Sequence, residues 1–231
     1  MNLNNININP ETILFLKNLY ANNNRKWFIE NKDQYQIAQS NMIQFADQLL
    51  SEMNTHDELE NESGKKTLYR IYNDVRFSKD KAPYNPRFAL SLRRAAKYRR
   101  GGYYLQIKPG NCFLACGFFA PNPSDLKRIR EDISVNFQQW NTILNTEGIR
   151  LNFGDIQGSK LTTAPRGFDK DNQAIQLLRQ KQFILRHDFT DQEVMSDEFL
   201  TIVNKVYKSV RPFFDHMTEI LTTNADGELM V

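Results

Sequence analysis

Residues 102–119 read GYYLQIKPGNCFLACGFF, and this stretch decides the fold class. Its first half alternates apolar and polar residues, and its second half is a nearly continuous apolar run. Pro109, Gly110 and Asn111 stand between the halves, which is the composition of a tight hairpin connection. The stretch therefore predicts two antiparallel strands over residues 102–108 and 112–119.

Further strand signals lie on both sides of this hairpin. Short segments rich in aromatic or alternating apolar residues precede it at 68–72 and 87–93. After it, residues 149–153 are expected to return to the sheet, and residues 181–186 are expected to form a last strand. We therefore expect a central antiparallel sheet.

Helix signals are clearest at the two ends of the chain. Asn9 before Pro10 predicts a helix start, and an apolar stripe from Phe28 to Met53 predicts one long helix, followed by a polar loop over residues 55–66. At the other end, a stripe over residues 199–221 predicts a helix that Pro212 should kink or divide.

Shorter helices are predicted between the strands. Ser124 is the expected cap of a helix that carries an apolar face from Leu126 to Phe137, and a second helical stretch follows around residues 140–144. A short helix over residues 174–180 is expected to be capped by Asp171 or Asn172. Together these patterns predict an α+β fold in a single globular domain over residues 1–231, with the sheet flanked by N-terminal and C-terminal helices.

The composition narrows the class of protein. The chain has 231 residues, 40% of them hydrophobic, and a mean hydropathy of −0.60. Its longest apolar run, residues 113–120, is too short to span a bilayer, and residues 1–10 lack the pattern of a secretory signal. We expect no membrane association and a cytoplasmic location.

Cys112 and Cys116 are the only cysteines, and a strand through them puts both on one face. At about 3.3 Å per residue their Cα atoms lie roughly 13 Å apart, beyond the reach of a disulfide. The three histidines are scattered and do not stand at ligand spacing from the cysteines. We therefore expect core thiols and predict no metal site.

Positive charge is concentrated in the middle of the chain. The net charge is +3, but residues 65–108 hold thirteen Lys or Arg against two Asp, whereas the remaining residues carry a net charge of −8. This concentration of positive charge in residues 65–108, within a chain that is otherwise acidic, suggests an anionic partner, either a small molecule or nucleic acid. The alternative is that these charges solvate exposed strand faces and a basic hairpin tip at residues 93–100.

The candidate site lies at residues 73–84, which read NDVRFSKDKAPY. Arginine offers a planar fork and lysines offer point charges, a combination that suits phosphate or carboxylate. In the structural alternative the acidic residues only pair with these cations and brace the chain. The anion-binding candidates are Arg76, Lys79 and Lys81, and the candidates for orienting groups or bases are Asp74, Asp80 and Tyr84.

Two further patterns carry weaker signals. Arg166, in the sequence PRGF just before a predicted helix, is a fourth anion-binding candidate, although any Pro and Gly turn before a helix looks similar. Asp74 with Gln106 and Lys108 resembles a nuclease metal site only distantly, because Gln106 brings no negative charge to a metal.

Several blocks of the chain resemble a known family. In order they are FLKNLYANNNRKWFIENKDQY, NDVRFSKDKAPY, GGYYLQIKPG with GFFAPNPSDLKRIREDI, and APRGFDKDNQAIQLLRQKQF. They are similar to the blocks of a bacterial conserved-hypothetical family, domain of unknown function 2461. Asn85 departs from the lysine expected after the tyrosine. The resemblance implies a single α+β domain of cytoplasmic type and brings no reaction, cofactor or catalytic residue.

The function expected from the residues is therefore binding of an anionic, phosphate-bearing ligand at the basic cluster. One alternative is a phosphoryl-transfer or hydrolytic enzyme that uses Asp74 or Asp80 as base. The other is a protein-interaction module in which the ion pairs are purely structural. The sequence names no cofactor and leaves the oligomeric state open.

Overall fold

The computed structural model describes residues 6–74, 76, 81–95, 100–224 and 227–230. These residues form eleven helices and four strands. The helices are α1 (Pro10–Ala21), α2 (Arg25–Glu30), α3 (Lys32–Met53), α4 (Gly64–Thr67), α5 (Pro123–Val135), α6 (Phe137–Leu144), α7 (Glu147–Phe153), α8 (Ile175–Leu178), α9 (Asp191–Val194), α10 (Phe199–Ser209) and α11 (Arg211–Thr222). The strands are β1 (Phe88–Arg93), β2 (Gly102–Ile107), β3 (Cys112–Phe118) and β4 (Phe183–Phe189).

The four strands form one antiparallel sheet in the order β1-β2-β3-β4, so the fold class is α+β as predicted. The hairpin between β2 and β3 is confirmed, and its turn is closed by the Asn111 N–H, which donates to the Lys108 carbonyl at 2.8 Å. Alternation along β2 places Tyr103, Leu105 and Ile107 in the core.

The N-terminal helices begin as expected but are more divided. Asn9 is the N-cap of α1 with Pro10 in its first turn. The predicted long helix is two helices, because the chain leaves helical geometry at Asn31, which is both C-cap of α2 and N-cap of α3. The predicted loop 55–66 runs into α4, where the Gly64 N–H donates to Asp47 Oδ1 at 2.6 Å.

Pro212 divides the C-terminal helix, as predicted. It lies in the first turn of α11, where its missing N–H has no intrahelical partner to lose. The stretch before it, α10, ends at Ser209.

Two predicted boundaries near the middle of the chain are wrong. Asn122, not Ser124, caps α5, because an N-cap side chain reaches the N–H three residues on, and Asn122 Oδ1 accepts from the Asp125 N–H at 2.9 Å. Similarly, α8 begins at Ile175 with Ala174 as N-cap, so neither Asp171 nor Asn172 caps it.

Residues 149–153 were predicted as a strand and form most of α7. A strand would put Ile149, Leu151 and Phe153 on one face. In the helix Ile149 and Phe153 stand one turn apart and are buried, whereas Leu151 is 75% exposed. The other predicted strand that fails is 68–72, which forms only isolated bridges from Leu68 to Leu90 and from Tyr72 to Tyr84.

The residues cluster into two compact units, each assembled from three separated segments. The chain crosses from one unit to the other at five points, and none of these crossings is a linker of biased composition. A single domain over residues 1–231 remains a prediction. Unit 1 holds Met1–Leu92, Tyr104–Leu114 and Asp188–Lys205, and unit 2 holds Arg93–Tyr103, Ala115–His187 and Val206–Val231.

Each unit has its own aromatic core contacts. In unit 1, Tyr35 of α3 stacks on Phe88 of β1 with ring centres 6.4 Å apart. In unit 2, Phe214 of α11 packs against Tyr103 of β2 at 5.0 Å. Over the described part of the chain, every helix is too short or too polar to cross a bilayer.

Candidate functional site

Most of the predicted site residues that the structure describes lie in unit 1. Asp74, Arg76, Lys81 and Tyr84 belong to this unit, and Arg166 belongs to unit 2. Lys79 and Asp80 lie outside the described residues, as does much of the segment predicted to enter as a strand. Asp74 and Arg76 themselves are not in a strand. Residues 74–81 are called the basic segment below.

Backbone and side-chain hydrogen bonds join the two ends of the basic segment. The Asn73 N–H donates to the Pro83 carbonyl at 2.9 Å, and the Asn73 side chain donates to the Ala82 carbonyl at 2.9 Å. One step further out, the Asn85 N–H donates to the Ile71 carbonyl at 2.7 Å. This ladder holds both ends of the basic segment in place.

Asp74 and Arg76 form a two-point ion pair. Arg76 Nε donates to Asp74 Oδ1 at 2.9 Å and Arg76 Nη2 donates to Oδ2 at 2.6 Å. These side-chain bonds are the main reason that the pKa of Asp74 lies below its ordinary value and that of Arg76 above it. The Arg76 side chain is nevertheless 77% exposed. The Arg76 side chain is thus oriented by Asp74 and remains largely exposed.

Tyr84 anchors the far end of the basic segment in an aromatic cluster. Its ring stacks on Phe28, with centres 4.0 Å apart and planes 13° from parallel, and its centre lies 5.5 Å from that of Tyr72. Burial is the main cause that raises its pKa, the Tyr72 hydroxyl adds to the rise, and Arg25 opposes it. Tyr84 is 95% buried, which suits an anchor better than a base.

Further cations lie near this cluster. Arg25 acts electrostatically on Tyr84, and Arg70 acts on Asp74, so both guanidiniums lie within electrostatic range of the segment. Lys81 is exposed, as are both of these arginines. The structure thus brings Arg25 and Arg70, which were not among the predicted site residues, to the neighbourhood of those residues.

Arg166 stands at the second position of a turn in unit 2. The Phe168 N–H donates to the Pro165 carbonyl at 3.1 Å, and Gly167 has a φ of +89°, as the third position of a type II turn requires. The helix that follows, α8, has only four residues. The turn explains the sequence PRGF without a ligand.

Gln106, the second member of the weak nuclease-like pattern, has both ends of its amide occupied. Its Oε1 accepts from Arg87 and from the Tyr104 hydroxyl, the latter at 3.1 Å, and its Nε2 donates to the Asn111 carbonyl at 3.0 Å. The side chain therefore stabilises the β2–β3 hairpin.

A family model described as conserved hypothetical protein (DUF2461) matches residues 11–216. The chain belongs to this family. The match spans most of the chain and includes the basic segment, the hairpin and α8, so the resemblance recognised in the sequence blocks is confirmed. Membership of DUF2461 brings no named reaction or ligand. No curated protein and no solved structure matches the chain.

Sequence reasoning missed one polar cluster of unit 2, centred on Asp132 of α5. Asp132 Oδ1 accepts from Trp140 Nε1 at 2.6 Å, and its Oδ2 accepts from Asn136 at 2.8 Å. His216, which is 7% exposed, has its Nε2 at 3.4 Å from Oδ1. Asp132 and His216 are far apart in sequence, so no local signal joins them.

The neighbours of Asp132 favour the ionised form of its carboxyl group. Burial acts to raise its pKa, but the His216 ring and the hydrogen bonds from Trp140 and Asn136 outweigh burial and leave the pKa below the ordinary value. Among the described residues, no three His, Cys, Asp or Glu side chains are grouped closely enough to hold a metal ion. The cluster is thus a hydrogen-bond centre of unit 2.

Proposed function

We propose that this protein binds an anionic, phosphate-bearing ligand on unit 1, at the surface presented by Arg25, Arg70, Arg76 and Lys81. The observation that carries the proposal is that the Arg76 side chain is both oriented and exposed. Its guanidinium is oriented by two bonds to Asp74 and yet its side chain is 77% exposed. An oriented guanidinium that faces solvent is well suited to a phosphate oxygen, because little side-chain entropy remains to be lost.

The packing and hydrogen bonds beneath this surface support the proposal. Asn73 joins the two ends of the basic segment, and Tyr84 is stacked on Phe28 behind it. A site whose supporting residues are packed and hydrogen-bonded binds with a smaller ordering cost.

The electrostatic balance supports an anion as the ligand. Residues 65–108 carry a net charge of +11, and Asp74 is the one carboxylate of that range that the structure describes. Arg70 and Arg25 add positive potential at the two ends of the segment. Such a field attracts phosphate groups and speeds their association.

In this proposal Asp74 is the group that orients Arg76. Its hydrogen bonds from Arg76 lower its pKa, and a carboxylate with a lowered pKa is a weaker base. This argues against the enzymatic alternative in which Asp74 takes a proton. The corresponding argument for Asp80 lies outside the described residues.

Single-stranded nucleic acid is a second candidate ligand for the same surface, favoured by one observation. Tyr72, whose ring packs at 5.8 Å from that of Phe28, is 48% exposed, and both Tyr72 and Arg25 act electrostatically on Tyr84. Exposed aromatics among basic residues stack on bases in single-strand binders. An oligo-dT probe would then bind with an affinity that falls steeply with salt and that Tyr72→Ala weakens.

The primary test is a calorimetric titration with pyrophosphate at low ionic strength. Arg76→Gln and Lys81→Gln should each weaken binding by about fivefold, the effect of one exposed charge-assisted contact. Lys127→Gln is the matched control, because Lys127 is an exposed cation of unit 2 that pairs with Glu131 on its own helix. It should leave the affinity unchanged.

The stability of Arg76→Gln separates the proposal from the structural alternative. We expect the variant to unfold at the same denaturant concentration as the parent, because the ion pair with Asp74 is exposed. If no anion binds and the variant is destabilised, the pair is a brace, and a protein-interaction role becomes the better hypothesis.

A further inference from the structure

Unit 2 contains a cavity of about 940 Å³ that the proposed anion site does not use. It is formed by α6, by the end of α7 with the residues after it, and by α8 with the residues around it. Its volume lies at the upper end of the range typical of small-molecule sites. We call it the amide cleft after the five side-chain carboxamides that line it, from Asn141, Asn145, Gln173, Gln176 and Gln180.

Gln180 provides the strongest indication of a ligand. The residue is 3% exposed, its Nε2 makes only a long contact of 3.4 Å to the Ile156 carbonyl, and its buried Oε1 has no hydrogen-bond partner among the described residues. A buried carboxamide oxygen without a partner is costly. A donor supplied by a ligand in the cleft would satisfy it.

The walls beside Gln180 are held by backbone bonds. The Leu161 N–H donates to the Arg179 carbonyl at 2.8 Å, and the Lys181 N–H donates to the Ser159 carbonyl at 2.9 Å, which places Lys160 opposite Gln180. Arg130 donates to the Gln180 carbonyl at 3.1 Å. The cleft is therefore preorganised at its most buried end.

The chemistry of the lining indicates a hydroxyl-rich ligand. A carboxamide both donates and accepts hydrogen bonds, and so does a hydroxyl group, whereas a bare anion only accepts. Phe137, Leu144 and Leu177 add apolar surface to the same cleft. A sugar ring combines hydroxyl edges with an apolar C–H face, and this lining offers partners for both.

The charges in the cleft add a requirement for one acidic group. Arg150 and Lys160 line it together with a single carboxylate, Asp155, so the ionic groups sum to +1. We propose that the amide cleft binds a monosaccharide that carries one phosphate or carboxylate group. This site is separate in its residues from the anion-binding surface of unit 1.

The test is an NMR titration of the ¹⁵N-labelled full chain with glucose 6-phosphate. We expect saturable shifts of the side-chain amide signals of Asn145, Gln176 and Gln180, with a Kd of about 1 mM or tighter. Arg150→Gln should weaken binding about tenfold, as the loss of a charge-assisted contact does. Gln176→Leu should weaken it about fivefold.

Matched controls exist next to the cleft. Lys181→Gln removes an exposed cation, and Gln138→Leu removes an exposed carboxamide of α6, both from residues outside the lining. Neither should change the affinity. Arg76→Gln should also leave these shifts unchanged, which separates the cleft from any phosphate bound on unit 1.

Two results would overturn the proposal. One is the absence of shifts at the cleft amides at about 20 mM glucose 6-phosphate, some twentyfold above the expected Kd. The other is an equal affinity for inorganic phosphate, since the hydroxyl groups would then contribute nothing. Weaker binding of both glucose and inorganic phosphate than of glucose 6-phosphate supports it.

Discussion

The side-chain amide of Asn23 bonds both backbone polar groups of Tyr84. Asn23 Nδ2 donates to the Tyr84 carbonyl at 2.8 Å, and Asn23 Oδ1 accepts from the Tyr84 N–H at 3.2 Å. The two residues are 61 positions apart in the sequence. The contact fixes the end of the basic segment to the start of α2, and it places the aromatic ring of Tyr84 over Phe28.

Asn23→Ala should lower the free energy of unfolding by about 2 kcal/mol, because two partly buried backbone groups of Tyr84 lose their partner. Urea denaturation measures the change. Asn22→Ala is the control, since the exposed Asn22 side chain bonds the Asn18 carbonyl of its own helix, at 3.0 Å. Equal losses in the two variants would show that the Asn23 bonds add nothing.

Gly117→Ala should destabilise the protein by about 3 kcal/mol or more. Gly117 has a φ of +137°, and an added Cβ would lie 2.0 Å from the Phe183 carbonyl oxygen of the neighbouring strand β4. Gly154→Ala is the comparison, because Gly154 also has a positive φ, +65°, but nothing lies within 4 Å of its Cβ position. Its cost should be smaller, about 2 kcal/mol, from backbone conformation alone, because a φ of 65° with a ψ of −135° is a combination that mainly glycine adopts. Thermal unfolding of both variants tests the order.

Asp132 should make unfolding pH-dependent in the acid range. Its folded pKa is lowered, so its contribution to stability is complete above the ordinary carboxyl pKa and is lost as the pH falls through the lowered value. Asp132→Asn should therefore reduce the difference in unfolding free energy between about pH 7 and pH 3. Glu131→Gln, on the exposed side of the same helix, should leave that difference unchanged. A parent-like pH profile for Asp132→Asn would contradict the assignment.

The two cysteines should be inert in the folded protein. Burial raises the pKa of Cys112 to about 11, and it raises that of Cys116 well above its ordinary value, so neither thiol forms thiolate near neutral pH. A chromogenic disulfide reagent at about pH 8 should label both thiols only after denaturation, with a rate at least about 100-fold slower in the native state. Rapid labelling of native protein would show that β3 opens locally.

Local chemistry accounts for the elements that were predicted correctly. The start of α1 needs only Asn9 and Pro10, and the β2–β3 turn needs only Pro109, Gly110 and Asn111. Pro212 divides the last helix because its ring has no N–H to donate. The recognisable sequence blocks likewise predicted the family, since motifs are properties of the chain itself.

The strand predicted over residues 149–153 failed because a short apolar run fits either period. Ile149 and Phe153 are compatible with a strand face and with one helical turn, and only their burial in unit 2 selects the helix. The exposure of Leu151 follows from that selection.

By itself, the sequence determined the α+β class, the β2–β3 hairpin, the start of α1 and the location of the basic segment, because each depends on residues close together in the chain. Only the tertiary structure decided which side chains meet. Asn23 bonds to Tyr84, Asp132 lies beside His216, and Gln180 lines a cleft built from three separated helices. Such contacts depend on how elements pack, and packing is set by the whole core rather than by any local pattern.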